Sequence, residues 1–222
     1  MREFLLGRLK AWSFLIRWLH STAFALALLP VSGGSEAQTT AVLPSRSSSL
    51  ATKHHAVTPV PGWIRFCKRR PEECTVSSAE PATITLTPPA WDMLTRVNSE
   101  VNAAIRPMTD HEHWGVVDRW DLAEDGYGDC EDYQLVKRQH LVEAGFPRRA
   151  LRMTAVLDED GEAHAVMMVR TDRGDFILDN KRDAVLPWRR TGYIYLQREV
   201  GTGSTWVSLG GAISSPVATA GR

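Results

Sequence analysis

Three side chains of this 222-residue chain have the types and the order of a nucleophile, its base and the group that orients the base. Cys130 stands in the acidic segment GDCEDY, His164 begins the apolar run HAVMMV, and Asp179 closes the run FILD. A cysteine thiolate attacks carbonyl carbons, a histidine exchanges protons with it, and a carboxylate holds the imidazole in place. If the fold brings these side chains together, the protein is an enzyme.

The acids beside Cys130 affect this chemistry directly. A cysteine at the beginning of a helix is stabilised as a thiolate by the helix dipole and by backbone N–H groups. Asp129 and Glu131 act in the opposite direction, because nearby negative charge raises the pKa of a thiol. We therefore expect a positive group nearby, either His164 or a bound cation. The alternative is ordinary acidic charge at a helix N-terminus without a metal.

Two predicted helices must position these residues. The first begins at Thr87, a good capping residue, and ends at Pro107. The second runs from about Cys130 to Ala144 and would carry the cysteine in its first turn. Asn98 and Asn102 lie on the first helix, where we interpret them as ordinary surface or cap-like polar residues.

After the second helix the pattern changes to short apolar runs separated by turns. The turn sequences DEDG and TDRG indicate an antiparallel meander, and a further strand follows it. The predicted strands cover residues 151–157, 163–170, 175–179 and 193–198. Helices first and an antiparallel sheet afterwards predict an α+β fold with helices packed on the sheet.

The second hairpin decides whether the histidine and the aspartate can meet. If Thr171 pairs with Gly174, Val166 faces Asp179, and His164 shares the face of Asp179 as a diagonal neighbour. Such neighbours lie about 7–8 Å apart at the backbone, within reach of aromatic side chains. A slip of one residue would place Asn180 opposite His164 and remove Asp179 from that face.

Between the two helices, residues 110–128 have an acidic, aromatic and irregular sequence. This pattern predicts a long loop, and long loops in compact domains are often functional. We interpret His111 and His113 as solvated loop histidines, because two histidines without a firm third ligand are weak evidence for a metal site.

Composition predicts one folded domain. The 26 basic and 26 acidic residues cancel, which argues against nucleic acid as a partner. The hydrophobic share of 43% is sufficient for a core. We expect a signal peptide at 1–37, a flexible linker at 38–61, the folded domain at 62–209 and a disordered tail at 210–222.

The N-terminus has the pattern of an export signal. Arginines and a lysine precede the apolar run STAFALALLPV, and SEA (35–37) provides small residues for cleavage after Ala37. We therefore expect a periplasmic protein. An uncleaved membrane anchor is the alternative, although Arg17 and His20 leave the apolar stretch shorter than the roughly 20 residues that a spanning helix needs.

The three cysteines fit an exported protein. Cys67 and Cys74 bracket a short loop that a disulfide could close in an oxidising compartment. Cys130 would then be an odd thiol that requires an explanation. Three reduced, unpaired cysteines are the alternative.

Together the motifs resemble the bacterial transglutaminase-like cysteine proteinase family, which includes the LapG-type periplasmic proteases. The resemblance lies in GDCEDY (128–133), HAVMMV (164–169) and LDN (178–180). It extends to the FC…PEEC segment (66–74), to the Val-Asn pairs at 97–98 and 101–102, and to residues 185–188. The cysteine motif is its most specific part.

The resemblance implies a papain-like, transglutaminase-type core with Cys130 as nucleophile, His164 as base and Asp179 as the residue that orients it. It also implies that Asp129 and Glu131 bind calcium, which would supply the positive charge that the thiol needs. LapG-type enzymes cut surface adhesins and are sequestered by an inner-membrane cyclic di-GMP receptor. The resemblance thus implies a protein substrate of the adhesin type and a partner of that receptor type.

Two other functions fit the same residues. A transglutaminase-like acyltransferase would use the same triad but pass the acyl group to an amine. A non-catalytic exported binding module would keep the fold, with Cys130 as a buried structural cysteine and His164 as a core histidine.

Overall fold

A seven-stranded antiparallel sheet forms the centre of the fold. The computed structural model describes residues 42–201 and 205–214, so the predicted signal peptide and residues 215–222 of the predicted tail lie outside the described residues. The strands are β1 (Lys53–Val57), β2 (Arg106–Pro107), β3 (Tyr127–Gly128), β4 (Leu151–Leu157), β5 (Ala163–Thr171), β6 (Gly174–Asp179), β7 (Arg182–Pro187), β8 (Ile194–Val200) and β9 (Thr205–Ile213). The sheet has the order β1-β9-β8-β4-β5-β6-β7, and β2 and β3 form a separate parallel pair.

Helices cover one face of this sheet, and the predicted α+β class is confirmed. Apolar residues of the third and fifth helices form a shared core with β5 and β6. A second core includes Val166, Tyr193 and Tyr195, and a third surrounds Trp63 and Trp206. The helices are α1 (Pro61–Arg69), α2 (Pro71–Cys74), α3 (Pro88–Ala104), α4 (Asp110–Trp114) and α5 (Cys130–Glu143).

The two predicted helices form close to their expected bounds, for the reasons that the sequence indicates. The Thr87 hydroxyl accepts a hydrogen bond from the Ala90 N–H at the beginning of α3, and prolines occupy the first turn. Helix α5 ends at Glu143, and Gly145 then adopts a left-handed φ of 89° that only glycine takes at no steric cost.

The second hairpin has the expected register. Thr171 pairs with Gly174, and Met167 pairs with Leu178. Continuing this register by one residue places Val166 opposite Asp179 at the end of β6. The alternation of strand side chains then places His164 and Asp179 on one face of the sheet.

The folded region is longer at both ends than the sequence suggests. Strand β1 lies inside residues 38–61, which we expected to be a flexible linker, and Leu50 of the same segment is buried. Strand β9 continues to Ile213 and so enters the expected disordered tail. Strand β1 is the edge strand and pairs with β9, which lies between β1 and β8 and buries Trp206 and Leu209. The sequence KHHAV of β1 has little apolar periodicity, because backbone pairing with β9 is enough to order an edge strand.

Other expectations concern the cysteines and the membrane. Cys67 and Cys74 form a disulfide that joins α1 to α2, as expected, and Cys130 remains a free thiol. Among the helices within residues 42–201 and 205–214, none is both long and apolar enough to cross a bilayer.

Candidate active site

His164 and Asp179 are joined by a hydrogen bond in the interior of the protein. The His164 Nε2 atom lies 2.9 Å from the Asp179 Oδ1 atom, and both side chains are buried. Because Nε2 is engaged by the carboxylate, Nδ1 is the ring nitrogen that remains for proton exchange with another group. The structure therefore brings together the histidine and the aspartate that the hairpin register placed on one face.

Both carboxylate oxygens of Asp179 accept hydrogen bonds. Oδ1 also accepts the backbone N–H of Lys181 at 3.0 Å, and Oδ2 accepts the hydroxyl of Tyr193. Burial acts to raise the pKa of Asp179, but the hydrogen bonds from His164, Tyr193 and Lys181 overcome it and lower the pKa below its usual value. The Tyr193 ring also meets the His164 ring edge-on, with centroids 5.7 Å apart.

Two asparagines of α3 hold the backbone around Asp179. Asn98 Oδ1 accepts the Asp179 N–H at 3.0 Å, while Asn98 Nδ2 donates to the carbonyls of Arg182 and Asp183 at 2.9 Å each. Asn102 Nδ2 donates to the Asp179 carbonyl at 3.0 Å. Our interpretation of these asparagines as surface or cap-like residues is wrong for Asn98, which is completely buried. Its position among the apolar residues of the helical pattern was the signal that could have revealed this role.

Cys130 is the first residue of α5, and its thiol lies beside the strand that carries His164. The thiol donates a hydrogen bond to Glu131 Oε2 at 3.0 Å, and it accepts a hydrogen bond from the backbone N–H of Ala165. A cleft of about 230 Å³ opens onto the cysteine. It is lined by Pro107, Met108, Thr109, Glu112, Gly128, Asp129, Cys130, Tyr133 and Asn180.

The Cys130 thiol has a pKa well above its usual value, although a helix N-terminus alone would lower it. Burial is the main cause, and the negative charges of Glu131 and Asp129 add to it, whereas the Ala165 N–H lowers the pKa. Burial and the adjacent acids thus act against the thiolate, and a positive charge beside Cys130 would favour it.

Five acids gather behind the cysteine. Asp110, Asp129 and Asp132 bring one carboxylate oxygen each within 4.8 Å of one another, and Asp110, Asp118 and Glu131 do the same. They come from distant parts of the sequence, because Asp110 begins α4, Asp118 follows it, and the others lie at the beginning of α5. The two acids predicted to bind a metal thus belong to a larger group, which we call the acidic cluster.

The acidic cluster is electrostatically unfavourable by itself. Burial, and then the charge of Asp129, raise the pKa of Glu131 to about 9. Burial, together with Asp129 and Asp110, raises the pKa of Asp132 to about 8. Asp129 Oδ1 is buried without a hydrogen-bond donor among the described residues. Converging carboxylates with raised pKa values and an unpartnered oxygen fit a divalent cation that prefers oxygen ligands.

Gly128 permits the close approach that the acidic cluster needs. A Cβ atom at this position would lie 2.7 Å from Asp132 Oδ2 and 2.8 Å from the Asp132 Cβ. The carboxylate of Asp132 also accepts the N–H of Asp121 at 2.6 Å and the N–H of Asp129 at 3.3 Å. The glycine before the Asp129–Cys130 pair is therefore a steric requirement of the site.

The segment predicted to be an irregular loop is partly helical. Residues 110–114 form α4, with a capping box between Thr109 and Glu112. His113 bonds to Asp125 at 2.7 Å and stacks on Trp114. Neither His111 nor His113 contributes to the acidic groups found among the described residues.

Residues 52–213 match the bacterial transglutaminase-like cysteine proteinase family. The chain belongs to this family. A bacterial transglutaminase-like cysteine proteinase is a cysteine protease, so the chain is an enzyme. Cys130 is its one free cysteine among the described residues.

Solved structures of Legionella pneumophila LapG are similar to this cysteine proteinase. The calcium-bound form is 26% identical, with a match that covers 60% of this chain and 76% of LapG, and the TM-score is 0.47. The EGTA-treated form is 25% identical, covers 60% and 75% of the two chains, and also has a TM-score of 0.47. A comparison with curated proteins gave no match. Membership of the family rests on the match of residues 52–213.

Proposed function

We propose that this cysteine proteinase is an exported endopeptidase that cleaves a protein substrate with Cys130, His164 and Asp179. The observation that carries the proposal is the buried His164–Asp179 hydrogen bond, which leaves Nδ1 for proton exchange on the strand next to the thiol. Cys130 Sγ attacks the scissile carbonyl, and its proton passes to His164 Nδ1. Asp179 and Tyr193 keep the imidazole in the required orientation throughout.

The remaining steps follow from the same geometry. The backbone N–H of Cys130 lies in the first turn of α5, where it has no acceptor within the helix, and it can hold the oxyanion. The imidazolium of His164 returns its proton to the leaving amine as the peptide bond breaks and a thioester to Cys130 remains. Water, deprotonated by His164, then hydrolyses the thioester and regenerates the thiol.

Calcium is the proposed cofactor, and the acidic cluster would hold it. Asp129 and Glu131 are its expected ligands, and Asp110, Asp118 and Asp132 are close enough to contribute oxygens. A bound calcium ion supplies positive charge next to Cys130, which neutralises the acids that raise the pKa of the thiol. The raised pKa values of Glu131 and Asp132 are the support for this proposal, because a cation would compensate these buried charges.

The proposal also includes export to the periplasm, an adhesin-type protein substrate and a cyclic di-GMP receptor as partner. The N-terminal sequence and the Cys67–Cys74 disulfide support an oxidising compartment. The family resemblance supports the substrate and the partner. Comparing surface proteins from a wild-type strain and a Cys130→Ala strain tests this directly. A released adhesin fragment found only in the wild type is expected, whereas an amine cross-link would indicate an acyltransferase instead.

Thiol alkylation at neutral pH tests the triad on the purified protein. With calcium present, we expect fast labelling of Cys130 that falls about 100-fold in His164→Ala, because the base no longer takes up the thiol proton. His113→Ala is the matched control and should label like the wild type, because the His113 side chain bonds to Asp125, which is not part of the triad. Equally slow labelling of wild type and His164→Ala would support a non-catalytic binding module. A rate that EGTA leaves unchanged would contradict the role of calcium.

A further inference from the structure

Lys137 is a buried lysine on the helix that carries the nucleophile. It follows Cys130 by seven residues, so two turns of α5 place both side chains on the same side of the helix. The Lys137 side chain is completely buried, and its Nζ atom has no hydrogen-bond partner among the described residues. The Tyr133 ring, with its centroid 5.9 Å from Nζ, is a cation–π neighbour on the same helix.

The acidic groups that act on Lys137 lie on either side of the turn between β6 and β7. Asp179, at the end of β6, and Asp183, on β7, are the acids that act on its ammonium group, and Tyr133 is the titratable neighbour on α5. Burial nevertheless lowers the pKa of Lys137 to about 7. Asp179 is in turn bonded to His164 and Tyr193, and Arg182 Nε lies 3.7 Å from its Oδ2.

Packing alone does not account for this lysine. An ammonium group that is buried without a hydrogen bond destabilises the folded state. A methionine of similar length would fill the same space without that cost. Gln134, one turn before Lys137 on α5, donates a hydrogen bond to Asn180 at 3.4 Å, so this side of the helix faces the turn that follows Asp179. A buried positive charge on this side indicates an electrostatic role instead.

We propose that Lys137 is a positioning residue of the triad, whose positive charge keeps the Asp179 carboxylate ionised and thereby keeps His164 oriented for proton exchange. This inference rests on the proposed function, since it requires that His164 and Asp179 serve Cys130. Lys137 does not contact the substrate. It acts on the reaction through Asp179.

The sign of the effect follows from the charge of the triad. Its working form carries one net negative charge, either as thiol, imidazole and carboxylate or as thiolate, imidazolium and carboxylate. Uptake of a further proton inactivates the triad, and a nearby positive charge opposes that uptake. Removal of the Lys137 charge should therefore move the acid limb of the pH profile to higher pH. An arginine would keep the charge at every working pH.

Neutral and charged substitutions separate the charge of Lys137 from its packing. We would measure the pH dependence of Cys130 alkylation with calcium in excess, and the pKa of His164 by NMR, in Lys137→Met, Lys137→Gln and Lys137→Arg. In the Lys137→Met and Lys137→Gln proteins we expect the acid limb of the alkylation profile and the pKa of His164 to rise by about one pH unit. Alkylation near pH 6 should slow about tenfold. Lys137→Arg should restore the wild-type acid limb. Lys68→Met, at an exposed position on α1, is the control and should change nothing.

Stability measurements complete the test. The Lys137→Met protein should unfold at the same urea concentration as the wild type or at a higher one, even though its alkylation is slower. Superimposable pH profiles in wild type, Met and Gln would overturn the proposal. So would a loss of alkylation that only parallels a loss of stability. If His164→Ala instead labels as fast as the wild type, the triad itself fails, which is a different result. Should Lys137→Arg not fold, Met and Gln still decide the outcome.

Discussion

Asp179 is the most constrained side chain of the active site. His164, Tyr193 and the Lys181 N–H all donate to its carboxylate, and the Asn98 side chain accepts its backbone N–H. A carboxylate that accepts several hydrogen bonds remains ionised even when it is buried. The imidazole therefore has a fixed orientation, and its Nδ1 atom is not engaged by Asp179.

Tyr193→Phe tests the importance of this arrangement. The substitution removes one donor to Asp179 Oδ2 but keeps the ring against His164. We expect Cys130 alkylation at neutral pH to slow about tenfold, because a hydrogen bond to a charged group is worth about 1.5–3 kcal/mol. Tyr195→Phe is the control, since its hydroxyl bonds to Thr191 instead of to Asp179. Equal rates in the two variants would contradict the role of Tyr193.

At the scale of elements, α3 and α5 have different tasks. Helix α5 carries Cys130, the acids beside it and Lys137, and it packs its apolar residues on β5 and β6. Helix α3 contributes no reacting group, but its buried Asn98 joins the end of β6 to the beginning of β7. The position of Asp179 therefore depends on a helix that does not otherwise take part in the reaction.

Asn98→Ala should affect both stability and activity. It leaves the Asp179 N–H and the carbonyls of Arg182 and Asp183 without their partner in a buried place. We expect the free energy of unfolding in urea to fall by about 3 kcal/mol, and alkylation of Cys130 to slow at least about tenfold. Glu100→Ala, at an exposed position of the same helix, should change neither quantity. A variant as stable as the wild type would show that the asparagine is dispensable.

At the scale of the whole molecule, the acidic cluster links folding to pH and to calcium. Glu131 and Asp132 have pKa values of about 9 and 8 in the folded protein, against ordinary values of 4.5 and 3.8. Between pH 5 and pH 7 the folded state therefore holds protons that the unfolded chain has released, and stability falls as pH rises. Each group contributes up to about 1.4 kcal/mol per pH unit. A bound cation would remove this effect by compensating the ionised acids.

Thermal unfolding with EGTA and with calcium measures this linkage. With EGTA we expect the melting temperature to fall from pH 5 to pH 7, whereas calcium should raise it at pH 7 and flatten its dependence on pH. The window stops at pH 7 because Lys137 begins to lose its proton there. Asp132→Asn is the matched variant and should reduce the slope with EGTA, since the amide does not ionise. The prediction would be contradicted if the melting temperature rose with pH in EGTA and did not change when calcium was added.

Local patterns were enough to predict much of the fold. Thr87 and the prolines after it mark the beginning of α3, Gly145 marks the end of α5, and the TDRG turn sets the β5–β6 register. Strands β1 and β9 were not predicted, because β1 is a short edge strand ordered by its pairing with β9, and β9 contains the polar and glycine-rich sequence VSLGG. Asn98 and Lys137 were not predicted to be functional residues, because the sequence of a helix does not show whether one of its polar residues is buried or exposed.

The sequence by itself determined the residue types of the proposed triad, their order, and a register that places His164 beside Asp179. It could do so because helix caps, tight turns and strand alternation act over a few residues. Only the tertiary structure decided which distant groups surround those residues. It brought Asp110 and Asp118 to the acids of α5, buried Lys137 near Asp179, and left the thiol with a raised pKa. Burial and charge depend on neighbours that are far away in the chain, and these determine how reactive Cys130 is.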